Sequence, residues 1–429
     1  METSFSLRNY QTLPIPRQSP GFSKNNKRMT NLWNFSTAGK LVFGCGAVQQ
    51  LGSLCRQIDA GRVLIVTDPV LVEVGVAETV CQPLKQARIE FELFDGGEPE
   101  PSITAIDRAV EVARGYQPDA IIGLGGGSNL DLAKMTAVVA KHGGGPADYF
   151  GFDKVPGPVI PLIGVPTTAG TGSEVSSSSV LTDTENAVKV SALSRHLRPA
   201  IAVVDPRLTL SCPKQVTADS GIDALTHAVE AYTAVDGDMM QLEPGEANPY
   251  SGRTPMTDAL CEEAIRLVGQ HLVTAVEQGD DLPAREGMAL AATLAGMAFS
   301  NAGVAVVHAL EYPIGGAVHC SHGLGNGLLL PYVMRYNLPT REAALARVAE
   351  LLGEPVAGLS TREAAESAIT AVERLKQQIG IPARLREIGA REDQLATFAD
   401  KAFAIKRLMQ TNPRMPTRDE LLGVLREAY

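Results

Sequence analysis

Cysteine is sparse and unpaired in this chain: Cys45, Cys55, Cys81, Cys212, Cys261 and Cys320 form no C-x-x-C pair. That argues against a zinc knuckle or dithiol redox centre and fits a reducing cytoplasm. No stretch approaches about 18 consecutive apolar residues, so no membrane span is expected. Lys+Arg total 38 against 48 for Asp+Glu, and no basic run follows the N-terminus to give nucleic acid a footprint. The first thirty residues lack an apolar signal core and carry Arg8, Arg17, Lys24, Lys27 and Arg28 among Ser, Asn and Pro. Residues 1–30 read as a disordered tail without a catalytic role, with Met29 as an alternative start. What is present is ordinary globular composition, 45% hydrophobic and 20% charged, over 429 residues. That length exceeds what one hydrophobic core usually serves, and two domains acting on small molecules are expected.

From Leu41 the chain alternates strand-like and helix-like pieces. The runs beginning at Arg62, Ile89, Asp119, Pro158 and Pro199 are the apolar, strand-like ones. Such alternation predicts a parallel sheet covered by helices on both faces. Strand character stops near Pro213, and apolar positions then recur at three and four, the period of packed helices. The segment from Arg285 to Leu310 reads as one long apolar helix ending near His308. The expected organisation is an α/β nucleotide-binding domain over residues 31–212 and an all-α domain over 213–429, with a cleft between them.

Gly125, Gly126 and Gly127 separate an apolar strand from a helix whose first turn holds Ser128, Asn129 and Asp131. Glycines let a backbone approach a bulky anion, and free N–H groups at a helix start attract phosphate. A strand-to-helix turn needing positive φ would use the same residues. Asp68, at an earlier strand end, suits an adenosine ribose and would repel a 2′-phosphate, favouring NAD; a helix N-cap is the alternative. Thr167, Thr168 and Thr171 form a hydroxyl-rich loop suited to pyrophosphate or a nicotinamide amide, or to a self-satisfied turn. Lys189 offers a reach to ribose or phosphate, or a solvated charge.

Asp223 and His227 stand four positions apart in a helical pattern and so share a face; His308 and His322 follow in apolar, glycine-rich surroundings. One carboxylate with three imidazoles suits Fe(II), Zn(II), Mn(II), Co(II) or Ni(II). Each histidine alone would read as a satisfied core residue. His319 competes with His322 for the fourth place.

The segments GGGSNLDLAK, PTTAGTGSEVS, DPRLTLSCP, GIDALTHAVEAY, FSNAGVAVVHALEYPIGG and SHGLGNGLLLPYVMRYN, in this order, resemble those of the iron-containing (group III) alcohol dehydrogenase family. The likeness runs from about Phe35 to the C-terminus. It implies a dehydroquinate-synthase-like fold with an NAD(P)-binding α/β domain and a helical metal domain. By position, Asp223, His227, His308 and His322 match the family's metal ligands. Asp68, Gly125 to Asp131, Thr167, Thr168, Thr171, Val180, Lys189 and Leu208 match its nucleotide contacts. Many members carry a further histidine four positions after the third ligand, where this chain has Tyr312. Tyr312, or a water chain through His319, is then the expected proton exit.

The resemblance implies hydride transfer between an alcohol or aldehyde and NAD(H), aided by a divalent metal, Fe2+ ahead of Zn2+. The expected partners are a small alcohol or aldehyde and further copies of the chain, as a homodimer or higher homo-oligomer, in the cytoplasm. Two rivals stay open: a hydroxyacid-oxoacid transhydrogenase that retains its nucleotide, and a non-enzymatic scaffold that keeps the fold.

Overall fold

Val63, Leu64, Ile65 and Val66 are all fully buried, so this strand is covered on both faces, as in the middle of a helix-flanked parallel sheet. The computed structural model describes residues 32–183, 188–240 and 248–429. Its described strands are β1 (Lys40–Phe43), β2 (Arg62–Val66), β3 (Glu90–Phe94), β4 (Ala120–Gly125), β5 (Gly151–Phe152), β6 (Leu162–Pro166), β7 (Ser178–Asp183), β8 (Val188–Leu193) and β9 (Ile201–Val204). Six of these form one sheet in the order β1-β9-β6-β4-β2-β3, every pair parallel. Side chains alternate across it: Val63, Ile65, Ile122 and Leu124 join one apolar layer, and Leu64, Val66 and Ile121 the other. A smaller sheet, β5-β8-β7, pairs β7 with β8 antiparallel.

After β9 the described residues are helical, beginning with Lys214–Thr233 and continuing through Pro255–Glu277, Leu282–Ala302, Val306–Val318, His322–Leu351 and Thr361–Ile379. Their apolar faces build the largest core cluster. The two parts belong to one compact unit, Trp33–Tyr429. The expected boundary near residue 212 falls in the connector before Lys214. The expected tail, residues 1–30 with Met29, lies outside the described residues. Among the described residues no single helix is long and apolar enough to cross a membrane.

Two local expectations change. The polar loop expected from Val165 to Ser179 gives its last two residues, Ser178 and Ser179, to strand β7. The apolar segment read as one helix is two, Leu282–Ala302 and Val306–Val318, bent by 105°. Gly303 turns the chain there at φ 104°, a conformation that side-chain-bearing residues rarely adopt. His308 therefore lies in the first turn of the second helix rather than at the end of the first.

Candidate active site

A cavity of about 670 Å³ runs from the C-terminal ends of the parallel strands to the first helices of the second half. Carboxyl ends of parallel strands are where open α/β sheets bind ligands. At the sheet end, β4 turns at Gly125, whose φ is +142° and where an added Cβ would lie 2.2 Å from the Asn129 amide. Only glycine fits. The helix Gly127–His142 starts immediately after this turn, and Gly126, Gly127, Ser128 and Asn129 line the cavity. Its leading N–H groups suit an anion.

Asp68 is a helix N-cap that also faces the cavity. Its Oδ1 caps the helix Pro69–Glu73 by accepting from Leu71 N at 2.9 Å; its Oδ2 accepts from Asn129 Nδ2 at 2.6 Å; and the residue lines the cavity. Thr167, Thr168, Thr171, Val180, Lys189 and Leu208 line it too, whereas Gly125 does not. Asp131 reaches the lining but spends its carboxylate on bracing: Oδ1 accepts from Ser173 Oγ at 2.6 Å and Oδ2 from Val180 N at 2.8 Å. Buried Lys134 completes that brace, donating to Ser173 Oγ at 2.7 Å, Ser176 Oγ at 3.1 Å and Ser178 O at 2.6 Å. The loop is thereby fastened to the phosphate-loop helix.

At the far end, Asp223 and His227 lie one turn apart on Lys214–Thr233, both buried. Ligand atoms of Asp223, His227 and His308 lie within 4.8 Å of one another. His322, half-buried, opens the helix His322–Leu351, and its ring centroid is 5.2 Å from that of His308. Close helix packing brings it there: at Gly323 a Cβ would stand 2.0 Å from the Asp219 carbonyl oxygen. His227 is stacked between Phe299 and His308, with centroids 4.3 and 4.8 Å away.

The donor set has the chemistry a divalent ion requires. His308 Nδ1 faces Glu230 Oε2 at 2.6 Å, and His322 Nδ1 faces Glu311 Oε2. A carboxylate only accepts, so each Nδ1 carries a proton and each Nε2 is the nitrogen left to face a metal. Burial pushes His227 down to about 3, leaving it neutral, and its Nδ1 is buried without a hydrogen-bond partner. Three acceptors converge on one point: Asn326 Nδ2 lies 2.8 Å from Asp223 Oδ1 and 3.1 Å from each of His308 Nε2 and His322 Nε2. An amide with two hydrogens cannot satisfy three acceptors.

Tyr312 lines the cavity with its ring centroid 5.9 Å from that of His322. Burial raises its phenol well above the ordinary value, so it stays a neutral O–H. His319 is not brought in: it is an exposed helix C-cap at φ 55° outside the cavity lining. Sequence reasoning missed Glu230, Glu311 and Asn326. A signal for the two glutamates was present, since His227 and His308 are each followed three positions later by glutamate; the pairing is crossed, however, Glu230 serving His308 and Glu311 serving His322.

A strand-to-helix turn suited to a nucleotide and a buried carboxylate-imidazole cluster face one cavity, an arrangement that suits a nucleotide-dependent, metal-assisted enzyme. The profile "Iron-containing alcohol dehydrogenase" matches residues 38–206, and "Fe-containing alcohol dehydrogenase family, C-terminal" matches 246–429. The chain belongs to the iron-containing alcohol dehydrogenase family. It is 38% identical over 395 residues to the NAD-dependent methanol dehydrogenase of Bacillus methanolicus, covering 92% of this chain and 99% of that one. It is 39% identical over 389 residues to the 1,3-propanediol dehydrogenase of Klebsiella pneumoniae, covering 90% and 96%. The crystal structure of a 1,3-propanediol oxidoreductase is similar at a TM-score of 0.87 and 38% identity, covering 93% of this chain and all of that one. The parallel α/β half and helical half are those of this two-domain fold.

Proposed function

We propose that this chain is an NAD-dependent alcohol dehydrogenase and aldehyde reductase, with Asp223, His227, His308 and His322 as the ligands of a divalent ion, Fe2+ ahead of Zn2+. The observation that carries this reading is one cavity lined at one end by the phosphate-loop glycines and at the other by these four side chains. NAD supplies the hydride acceptor and the divalent ion supplies Lewis acidity. The protein's own groups do the rest. Gly126 to Asn129 present N–H groups to a pyrophosphate, and Asp68 accepts from an adenosine ribose and disfavours a 2′-phosphate. Glu230 and Glu311 hold two imidazoles in the tautomer with a free Nε2. Phe299 and Val304 give the reacting end apolar walls that limit water. Tyr312, a neutral hydroxyl beside His322, is the proposed path for the proton. We place the enzyme in the cytoplasm as a homodimer or higher homo-oligomer. We divide it into an α/β domain over 31–212 and a helical domain over 213–429.

The test is a panel of alcohols with NAD+ and aldehydes with NADH on protein reconstituted with Fe(II) or Zn(II). NADH formation at many turnovers per chain supports the reading. Turnover confined to a hydroxyacid and oxoacid pair would replace it with transhydrogenation.

A further inference from the structure

Among the described residues two cations line the cavity, Lys189 and Arg407, and their situations differ. The Lys189 charge is already answered, with Glu100 Oε1 at 2.9 Å and Glu311 Oε1 at 3.4 Å. Arg407, on the short helix Lys406–Thr411, has no carboxylate partner among the described residues. Its Nη2 donates to Ser191 Oγ at 3.2 Å, and its Nε is buried without any hydrogen-bond partner. A guanidinium partly withdrawn from water with an idle donor is costly unless something completes it.

Its position says what would complete it. Ser191 lies two residues beyond Lys189 on β8, so both face the cavity, as does Leu193. The helix Lys406–Thr411 packs on Val306–Val318, which carries His308 and Tyr312, and Tyr312 stands beside His322; the Arg407 side chain also reaches the Tyr250 phenol. Arg407 thus enters the cavity from the helical side, on the flank where Tyr312 stands beside His322. The Arg407 carbonyl accepts from Asn248 Nδ2 at 3.1 Å and Thr411 Oγ1 at 2.8 Å, which fixes the backbone from which the side chain projects.

We infer that Arg407, with Ser191, recognises an oxyanion at the far end of the substrate, so that the preferred substrates are short aldehydes and alcohols bearing a terminal carboxylate, sulfonate or phosphonate. This rests on the aldehyde and alcohol reading of the site. A planar guanidinium with two donor edges matches such a group, and a lone Oγ adds a third contact. The anion is a spectator. A hydride and its two electrons pass from NADH to the carbonyl carbon, a proton from solvent joins the oxygen, and NAD+ and the ω-hydroxy anion leave.

The experiment compares kcat/KM of the metal-loaded full chain for succinic semialdehyde and butanal, with glutaric and malonic semialdehydes and a sulfonate and a phosphonate aldehyde as further arms. Each is run on wild type, Arg407→Leu and Arg407→Lys. Wild type should favour the anionic aldehyde over butanal. Arg407→Leu should lose about 10- to 100-fold on the anionic series, mostly in KM, with butanal and the KM for NADH nearly unchanged and Arg407→Lys in between. The three oxyanion arms show which headgroup fits best. A readout independent of turnover is the thermal midpoint: 4-hydroxybutyrate with NAD+ should raise it for wild type and not for Arg407→Leu. Equal losses on butanal and the anionic series, a raised KM for NADH, or an equal shift in both proteins would overturn the inference. Turnover of neutral aldehydes without any charge preference would overturn it while leaving the dehydrogenase reading intact; absence of turnover on every arm would strike that reading, with the thermal shift still deciding Arg407.

Discussion

Glu230→Gln is a sharp perturbation because it changes one atom type and almost no volume. Glu230 is 4% exposed and both its oxygens are engaged: Oε1 accepts from Val307 N at 2.7 Å, and Oε2 accepts from Ala305 N at 3.0 Å and faces His308 Nδ1 at 2.6 Å. A glutamine offers one acceptor and one NH2. If its NH2 faces His308, it meets two donors, and the imidazole relieves one clash only by moving its proton to Nε2, the atom needed for a metal. If its oxygen faces His308, the NH2 opposes the Val307 N–H instead. The second arrangement strands a buried donor at about 1–3 kcal/mol; the first weakens metal binding, and lost partners of ligating histidines typically cost about 10- to 100-fold in affinity. Chelator competition for Fe(II) or Zn(II) should show that loss, alongside a lower melting temperature of the metal-free protein. Unchanged metal affinity with only the lower melting temperature would refute the orienting role and leave Glu230 as a helix cap.

Three further outcomes follow from other contacts. Asp68→Gly should narrow the preference for NAD(H) over NADP(H) while costing only about a few tenths of a kcal/mol in helix capping; an unchanged KM ratio would refute the ribose assignment. Gly323→Ala should weaken metal retention in chelator dialysis more than it lowers the melting temperature, because its Cβ would strike the Asp219 carbonyl oxygen between the two ligand-bearing helices; full retention would show that they separate without cost. Burial pushes Lys134 down to about 8 from the ordinary 10.5, so between those values the unfolded chain binds more protons at this group and its effect on stability improves as pH rises. The stability difference between wild type and Lys134→Met should therefore widen in favour of wild type across that window by urea unfolding; a pH-independent difference would contradict the assignment.

The sheet was readable because its strands are buried on both faces and appear as unbroken apolar runs, as Val63 to Val66 do. The small sheet was not, since Ser178 and Ser179 give β7 a polar start that resembles a turn. Asp223 and His227 announce themselves through helical spacing, whereas the link from Glu230 to His308 spans 78 positions and exists only after Gly303 breaks the helix. Thr167 and Thr168 were legible as a loop; the brace from Lys134 to Ser173 and Ser176 was not, because a lysine inside an amphipathic pattern looks like a solvated charge. Arg407 had no motif around it, and only the placement of its helix beside Ser191 and Tyr312 brings it to the cavity. His319 fails for a comparable reason: one step beyond the helix end its side chain leaves the site.

The account turns most directly on whether Asp223, His227, His308 and His322 hold the ion. Wild type and His308→Ala, each reconstituted anaerobically with Fe(II) and desalted, should be compared for metal content per chain and for NADH formation from an alcohol. Wild type should retain stoichiometric iron and turn over; His308→Ala, still folded by circular dichroism, should lose both. Stoichiometric iron with undiminished turnover in His308→Ala would contradict the ligand assignment.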